Sequence, residues 1–485
     1  MLTHSALTPY RGTIMRRRAG SFAIAAALAV LAPVAVHAEA LVGSAMTAGV
    51  TDVASSFDGP NKFDFRFRVR YDHTETRAQL KREIIMPGQD SLGIYKDLVY
   101  SQSRNTLNLR TEFGLWHDLM LSLEMPIVID EVATYEFDQS AGGSCVFPSP
   151  NGGGGTPTCV NASNSSALAD GLAPAGGFDA ANGGAGLPNN LLFRSVTRGA
   201  RGGSGLDAFD TLNLGLTWGP LSQARDKSKP NWTVAFEAHI SIGNIKAFDR
   251  LNPAANHAVS EGVHRFIFRT GLSRRFKFFE PYWNLWYMLP VARGDSQFVD
   301  YGAAQKTKLP QMQAGSTFGT EIVPYENKDR FYRIALDLRG RVEGHFTGRG
   351  YSEIWELLAS SPAMFCDPVH NLSCDPAQMS KYSGKPFTGL TTIENYATIG
   401  ADVAIAAQIG PYFRLRTGFE YSHAQSHFIT GDDIGTPASN NPTGRVMAPS
   451  EFNPAYRAIT DLVGRRYLAD NINVYNFYLS VQMMF

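Results

Sequence analysis

Arginine and carboxylate side chains recur at every second position in several segments of this chain. Arg66, Arg68 and Arg70 are separated by apolar residues, and residues 337–343 repeat the pattern with acids and arginines mixed. In a β-strand successive side chains point to opposite faces, so each segment collects its charges on one face. Such a face either interlocks as ion pairs or lines a polar pore that selects solutes by charge. The residues alone leave both alternatives open.

If these segments belong to one closed sheet, their charged faces share its interior. Acids and bases nearly cancel there. The arginines of residues 66–70 and of residues 414–416 make one part of the interior basic, which favours anionic solutes. The predicted pore-lining residues are Arg66, Arg68, Arg70, Glu112, Glu124, Glu237, Asp337, Arg339, Arg341, Glu343, Arg414, Arg416 and Glu420.

Two pairs of residues have the types that a hydrolase would need. His239-Ile240-Ser241 resembles the His-x-Ser pair of the outer-membrane phospholipase family, which would make this chain a lipase. The following Ile242-Gly243 departs from the Asn-Gly of that family, and parity turns His239 and Ser241 away from lipid. Ser422 and His423 are sequence neighbours, so in a regular strand they point to opposite faces. We therefore expect no enzyme, no cofactor and no metal site.

Four cysteines form two close pairs along the chain. Cys145 precedes Cys159, and Cys366 precedes Cys374. An exported protein meets an oxidising compartment, so we predict two disulfides, each within one long loop.

Apolar residues alternate with the polar ones to the end of the chain, in segments long enough to cross a membrane as tilted strands. The repetition, together with 11% aromatic residues and 46 glycines, predicts an all-β, antiparallel, up-and-down transmembrane barrel. The twelve predicted strands are residues 62–73, 104–116, 119–129, 208–218, 231–242, 264–274, 280–291, 315–324, 331–346, 393–409, 412–423 and 472–485.

Short and long connections alternate between these segments. A barrel with short periplasmic turns and long extracellular loops has this plan. We expect the loops at 74–103, 130–207, 243–263, 292–314, 347–392 and 424–471. Two of the loops carry helical spacing, at 352–358 and 456–467, and either helix could cover the mouth of a pore.

The N-terminus has the three parts of a secretory signal peptide. A basic head at 15–18 precedes an apolar run at 22–36, and small residues follow at Ala38 and Ala40. We therefore predict a signal peptide over 1–38 with cleavage near Ala38 or Ala40. Residues 39–61 are then a short periplasmic segment, and 62–485 form the barrel.

The last strand carries the most specific pattern. Its apolar face ends on the terminal phenylalanine and resembles the C-terminal assembly signal of Gram-negative outer-membrane barrels. The strand rhythm, with Glu280-Pro281-Tyr282 entering strand seven, is similar to twelve-stranded porin-like proteins. One such group comprises transporters associated with the degradation of aromatic compounds. The signal residues are Tyr475, Phe477, Leu479, Val481, Met483 and Phe485.

These features predict a porin-like channel of the cell outer membrane, through which small solutes pass passively along a narrow charged lumen. The alternative is a barrel that only anchors a surface-interaction or polymer-export assembly without conductance, and an outer-membrane hydrolase comes third. The expected partners are outer-membrane lipid, lipopolysaccharide, the barrel-assembly machinery and small solutes. The 44 basic residues balance the 44 acidic ones, so no nucleic-acid partner is indicated.

Overall fold

The structure is a computed structural model. It describes residues 50–57, 63–85, 92–139, 159–173, 178–179, 191–249, 252–361, 364 and 387–485. The chain divides into two compact units, Met1–Val36 and His37–Phe485, and every described residue belongs to the second. The predicted signal peptide and three of the four cysteines lie outside the described residues.

Twelve antiparallel strands form a closed barrel, in which each strand pairs with its neighbours in sequence and β12 returns to β1. The closure is continuous from Phe67 opposite Met483 to Arg82 opposite Tyr467, with one bulge. This confirms the predicted fold. The strands are β1 Phe65–Ile85, β2 Leu92–Trp116, β3 Leu119–Phe137, β4 Thr211–Leu221, β5 Asn231–Ser241, β6 Val263–Ser273, β7 Phe279–Ala292, β8 Gln313–Asn327, β9 Tyr332–His345, β10 Tyr396–Ile409, β11 Phe413–Ala424 and β12 Tyr467–Met484.

The outer face of the barrel is apolar. Alternate residues of the strands, such as Leu285 in β7 and Ile405 in β10, are large, hydrophobic and exposed. Exposed tryptophan and tyrosine residues gather near the strand ends, as in the aromatic girdles of membrane barrels. Those at the end with the short turns are Trp116, Trp218, Trp232, Tyr325, Tyr332 and Tyr412. Among the described residues no helix is long and apolar enough to cross a membrane.

One predicted loop is wrong. Residues 74–103 are mostly strand: β1 and β2 continue to Ile85 and from Leu92, and pair along their whole length. The alternation ends near residue 74 because this part of the hairpin extends past the lipid. Both of its faces there meet water or loops, so an apolar outer face is no longer required.

The long loops pack on the inner side of this tall wall. A buried apolar cluster joins Leu80 and Leu98 of the wall to Leu172, Ile354 and Leu357 of the loops. Both predicted loop helices are present, although shorter or displaced. The helices of the loops are Ser166–Ala169, Trp355–Ser360 and Ala458–Asp461, with 3-10 turns at Gly205–Ala208, Pro253–Ala255 and Pro449–Glu451; short strands lie at Phe178–Asp179, Leu191–Arg194, Gly348–Gly350, Thr391–Ile393 and His427–Phe428.

Candidate solute pathway

The end of the barrel that carries the short turns, here called the turn side, is crossed by the N-terminal segment 50–57. Asp52 of this segment forms ion pairs with Arg66 of β1 at 3.0 Å and with Arg414 of β11 at 3.2 Å. These two arginines face the barrel interior from opposite sides of β12, so Asp52 bridges them. The basic part of the interior predicted from the sequence is therefore neutralised here by the chain itself.

The rest of segment 50–57 is bonded to interior groups of several strands. The Ser56 hydroxyl donates to the Gly114 carbonyl of β2 at 2.6 Å, and the Thr233 hydroxyl of β5 donates to the Val50 carbonyl at 3.1 Å. The Thr51 and Ser273 hydroxyls are 2.7 Å apart. These residues have no period-two pattern, so the sequence predicts a periplasmic segment for them and not a place inside the barrel.

Arginines of β1 and β2 share a few carboxylates on the interior face. Arg68 lies directly opposite Arg110, and two like charges in this position repel. Glu112 relieves the repulsion: its carboxylate lies 2.7 Å from Arg110, 3.7 Å from Arg68 and 3.8 Å from Arg66. Glu124 pairs with Arg110 at 3.2 Å. Glu112 is thus the partner that parity predicts for β1, while Glu124 serves Arg110.

Arg70 finds its partner on its own strand. Its Nη2 donates to Asp72 at 2.6 Å, and the guanidinium lies 4.2 Å from the centre of the Tyr478 ring. Aromatic faces attract cations, so Tyr478 of β12 holds the guanidinium against the wall although β12 offers no acid opposite Arg66, Arg68 or Arg70.

A second network surrounds Asp337 of β9 on the interior face. This fully buried carboxylate accepts hydrogen bonds from Tyr282 at 2.7 Å, Arg416 at 2.7 Å and Arg339 at 3.2 Å. Three donors compensate for its desolvation. All thirteen predicted lining residues make ion pairs with side chains of the interior face or of segment 50–57. Further pairs join Glu237 to Arg269, and Arg341 to Glu343 and Glu420.

The interior charges differ in their access to water along the barrel. On the turn side, Arg66 and Arg414 are only 2% and 5% exposed. Further along the barrel, Arg68 is 29% exposed, Arg70 36% and Arg269 40%, although all three point inward. The interior is therefore dry around segment 50–57 and wet beyond it.

The described residues of the wet part border two cavities of similar size. One of about 250 Å³ is bordered by Val50, Arg269, Trp286, Arg341 and Glu420. The other, of about 240 Å³, lies next to the loop helix and is bordered by Tyr100, Glu131, Lys246 and Trp355, among others. Each cavity mixes acids, bases and aromatic rings, which suits small polar solutes better than lipid chains.

Neither residue pair considered for hydrolysis forms a dyad. His239 Nε2 lies 3.2 Å from Glu237, while the Ser241 hydroxyl lies 2.9 Å from that of Ser260. The Ser422 hydroxyl accepts from Arg341 inside the barrel, and His423 contacts Asn473 on the exposed outer side.

Of the other predicted site residues, four members of the assembly signal lie on the outer face. Phe477, Leu479, Val481 and Phe485 are exposed there, and the main chains of Phe65 and Phe485 bond to each other. Cys159 is disulfide-bonded. Cys145, Cys366 and Cys374 lie outside the described residues, so both predicted pairings stay predictions.

Comparisons with known proteins give only distant likenesses. No protein-family model and no curated protein matches the chain. An outer-membrane channel from Pseudomonas putida F1 is 8% identical, with 86% of this chain and 95% of that chain covered and a TM-score of 0.34. A Pseudomonas aeruginosa FadL homologue is 7% identical (90% and 96% covered, TM-score 0.28), as is the outer-membrane protease OmpT from Escherichia coli (90% and 99% covered, TM-score 0.26). These likenesses, to channels and a protease alike, assign no activity.

The physical character of the barrel defines where it resides. A closed barrel satisfies every strand edge, and its exposed apolar belt needs a hydrocarbon environment. Aromatic girdles, a polar interior and short turns at one end complete the plan of a Gram-negative outer-membrane protein. The chain is an outer-membrane β-barrel.

Proposed function

We propose that this barrel is a narrow channel for the passive passage of small polar solutes. The observation that supports it best is the water-accessible charge inside the wall. A solid plug of ion pairs would bury Arg68, Arg70 and Arg269 as fully as it buries Arg66, and they are instead about one third exposed. A twelve-stranded barrel is intermediate between small filled barrels and wide porins, which favours a selective conduit.

The route has two constrictions. On the turn side, segment 50–57 crosses the interior and is held by the Asp52 ion pairs. On the loop side, the packed loops and the helix Trp355–Ser360 cover the second cavity. A solute would pass between these groups or displace them, and low conductance is expected.

Single-channel recording tests the proposal. The purified protein in a planar bilayer is compared with the double variant Arg68→Glu, Arg70→Glu under a salt gradient. If the interior conducts, the reversal potential of the variant moves toward cation selectivity. The difference shrinks in high salt, because the screening length falls to about 3 Å at 1 M.

Arg77→Glu is the matched control. Arg77 lies on the same strand, pairs with Glu75 and is largely exposed on the part of β1 beyond the wet interior. The reversal potential of the Arg77→Glu variant should equal that of the wild type. A wild-type protein without current, combined with a destabilised double variant, would contradict the channel and favour the anchor.

The anchor is the second candidate, supported by the loops. They form an apolar core of their own against the tall β1–β2 wall, as a surface-exposed binding module would. In that case the barrel holds the loops at the surface, and the protein acts through a surface partner or a polymer-export assembly without conductance.

A further inference from the structure

We propose that the cavity bordered by Arg269, Asn284 and Trp286 is a binding site for a short carboxylate that also carries a hydroxyl group. The inference deepens the proposed function, since this site lies on the suggested route. Trp286 and Asp402, which border the cavity, stand at the middle of β7 and β10, so the site is near mid-barrel. Binding is measured without current, and failure of the site is thereby distinguishable from failure of the channel.

Three side chains of two adjoining strands form the core of the site. Arg269 of β6 lies directly opposite Trp286 of β7, and Asn284 lies opposite Gly271, two positions along the same interior face. Side chains in these positions are cross-strand neighbours within reach of one molecule. All three border the cavity.

Arg269 provides the charge. Among the described residues, the only ion pair of Arg269 joins Nη2 to Glu237 at 3.4 Å, and its buried Nε has no hydrogen-bond partner. Its side chain is 40% exposed, more than that of Arg68 or Arg70. A guanidinium carries five N–H donors in a fork that fits a carboxylate. Glu237 also bonds His239, so it does not saturate Arg269.

Asn284 provides the polar selectivity. Its side chain is nine-tenths buried, and its Oδ1 has no hydrogen-bond partner among the described residues. A buried amide oxygen without a donor is costly, and a ligand hydroxyl would satisfy it. Gly271 opposite leaves room for the Val50 carbonyl, which a Cβ atom there would meet at 2.9 Å, so segment 50–57 closes the site on this side.

Trp286 provides a flat wall. Its ring lies across Gly315 of β8, where a Cβ atom would stand 2.6 Å from Cε2, so only glycine permits this position. The ring adds an apolar surface to the cavity that Arg269 and Asn284 also border. A short carbon chain with a carboxylate at one end and a hydroxyl beyond it matches the three groups.

The test uses three probes of similar size on the full-length protein in detergent, with tryptophan fluorescence as readout. They are 3-hydroxybutyrate, butyrate, which lacks the hydroxyl, and 1,3-butanediol, which lacks the carboxylate. We expect saturable quenching by 3-hydroxybutyrate, about fivefold weaker binding of butyrate and no saturation with the diol. Trp286→Phe should abolish the signal, and sodium chloride at equal ionic strength should not reproduce it.

Variants assign the groups. Arg269→Gln should weaken the binding of 3-hydroxybutyrate at least tenfold. Asn284→Ala should lower the affinity for 3-hydroxybutyrate to the affinity for butyrate. Arg104→Gln is the matched control, because Arg104 is 34% exposed and pairs with Glu131 at 3.3 Å beside the other cavity. Quenching by none of the probes, or wild-type binding by a folded Arg269→Gln variant, overturns the site. Equal binding of butyrate and 3-hydroxybutyrate to the wild type overturns the role of Asn284.

Discussion

Asp52 Oδ1 lies 3.0 Å from Arg66 Nη1, with both side chains almost fully buried on the turn side of the barrel. Removal of either side chain would leave the charge of the other buried with less compensation, which is costly. Asp52 belongs to the N-terminal segment and Arg66 to the wall. The pair therefore ties a short peptide across the interior of the barrel.

The first prediction concerns this tie. Asp52→Asn leaves Arg66 and Arg414 buried together with less compensating charge, and breaking a buried pair costs roughly 3–5 kcal/mol. Segment 50–57 should then leave its position more often, and single-channel recordings should show larger or more frequent openings than the wild type. Asp295→Asn, which removes an exposed loop partner of Arg293, should change nothing. Identical currents from Asp52→Asn and wild type would show that the segment does not obstruct the route.

The second prediction concerns assembly of the last strand. Met483→Lys with Phe485→Lys places two cations on the outer face, where a charge costs about 2–4 kcal/mol at mid-depth and less near the interfaces. We expect a sharp loss of folded, heat-modifiable barrel, with the chain retained in the periplasm. Gln482→Glu is the control, since Gln482 faces inward opposite Arg68 and Arg414. The Gln482→Glu variant should therefore assemble normally. Equal yields from both variants would contradict the assembly signal.

The sequence predicts the barrel well because lipid imposes a strict rule on one face of every strand. The twelve strands and the interior position of Arg66, Glu112 and Asp337 follow from that rule alone. The rule no longer applies where a strand extends beyond the lipid. Residues 74–85 of β1 do not continue the regular alternation of apolar and polar residues, so they look like a loop although they pair with β2 throughout.

The candidate site was predicted only in part, for a different reason. Parity places Arg68 and Arg70 inside, but partners are set by register, and a same-strand partner such as Asp72 is chosen by rotamer and space. No sequence pattern indicates the ion pairs of Asp52, because its partners Arg66 and Arg414 lie fourteen and several hundred residues away along the chain. Parity places Arg269 inside the barrel as well, but only the structure shows that its side chain stays exposed at the cavity.

The third prediction concerns orientation. A cysteine at Arg445, in an exposed loop, should react with an impermeant thiol reagent on intact cells. A cysteine at Asp329, in the exposed turn between β8 and β9, should stay protected until the outer membrane is opened. The protein without an added cysteine gives the background. Labelling of Asp329→Cys alone on intact cells would reverse the orientation.

The last prediction concerns pH and the loop after β11. Burial, followed by the nearby Asp432 carboxylate, raises the pKa of Asp461 to about 7, whereas in an opened loop it returns to about 4. The closed loop thus binds one more proton between these values, so its stability is full below pH 4 and is lost as pH rises through 7. The Gly431 amide donates to Asp461 at 3.0 Å, and its hydrogen-exchange protection factor should fall at least tenfold from pH 5 to pH 8. Asp461→Asn should flatten this profile. Asp433→Asn, which removes an exposed partner of Lys306 in the same loop, should leave it unchanged. A flat wild-type profile would show that Asp461 does not bind this proton.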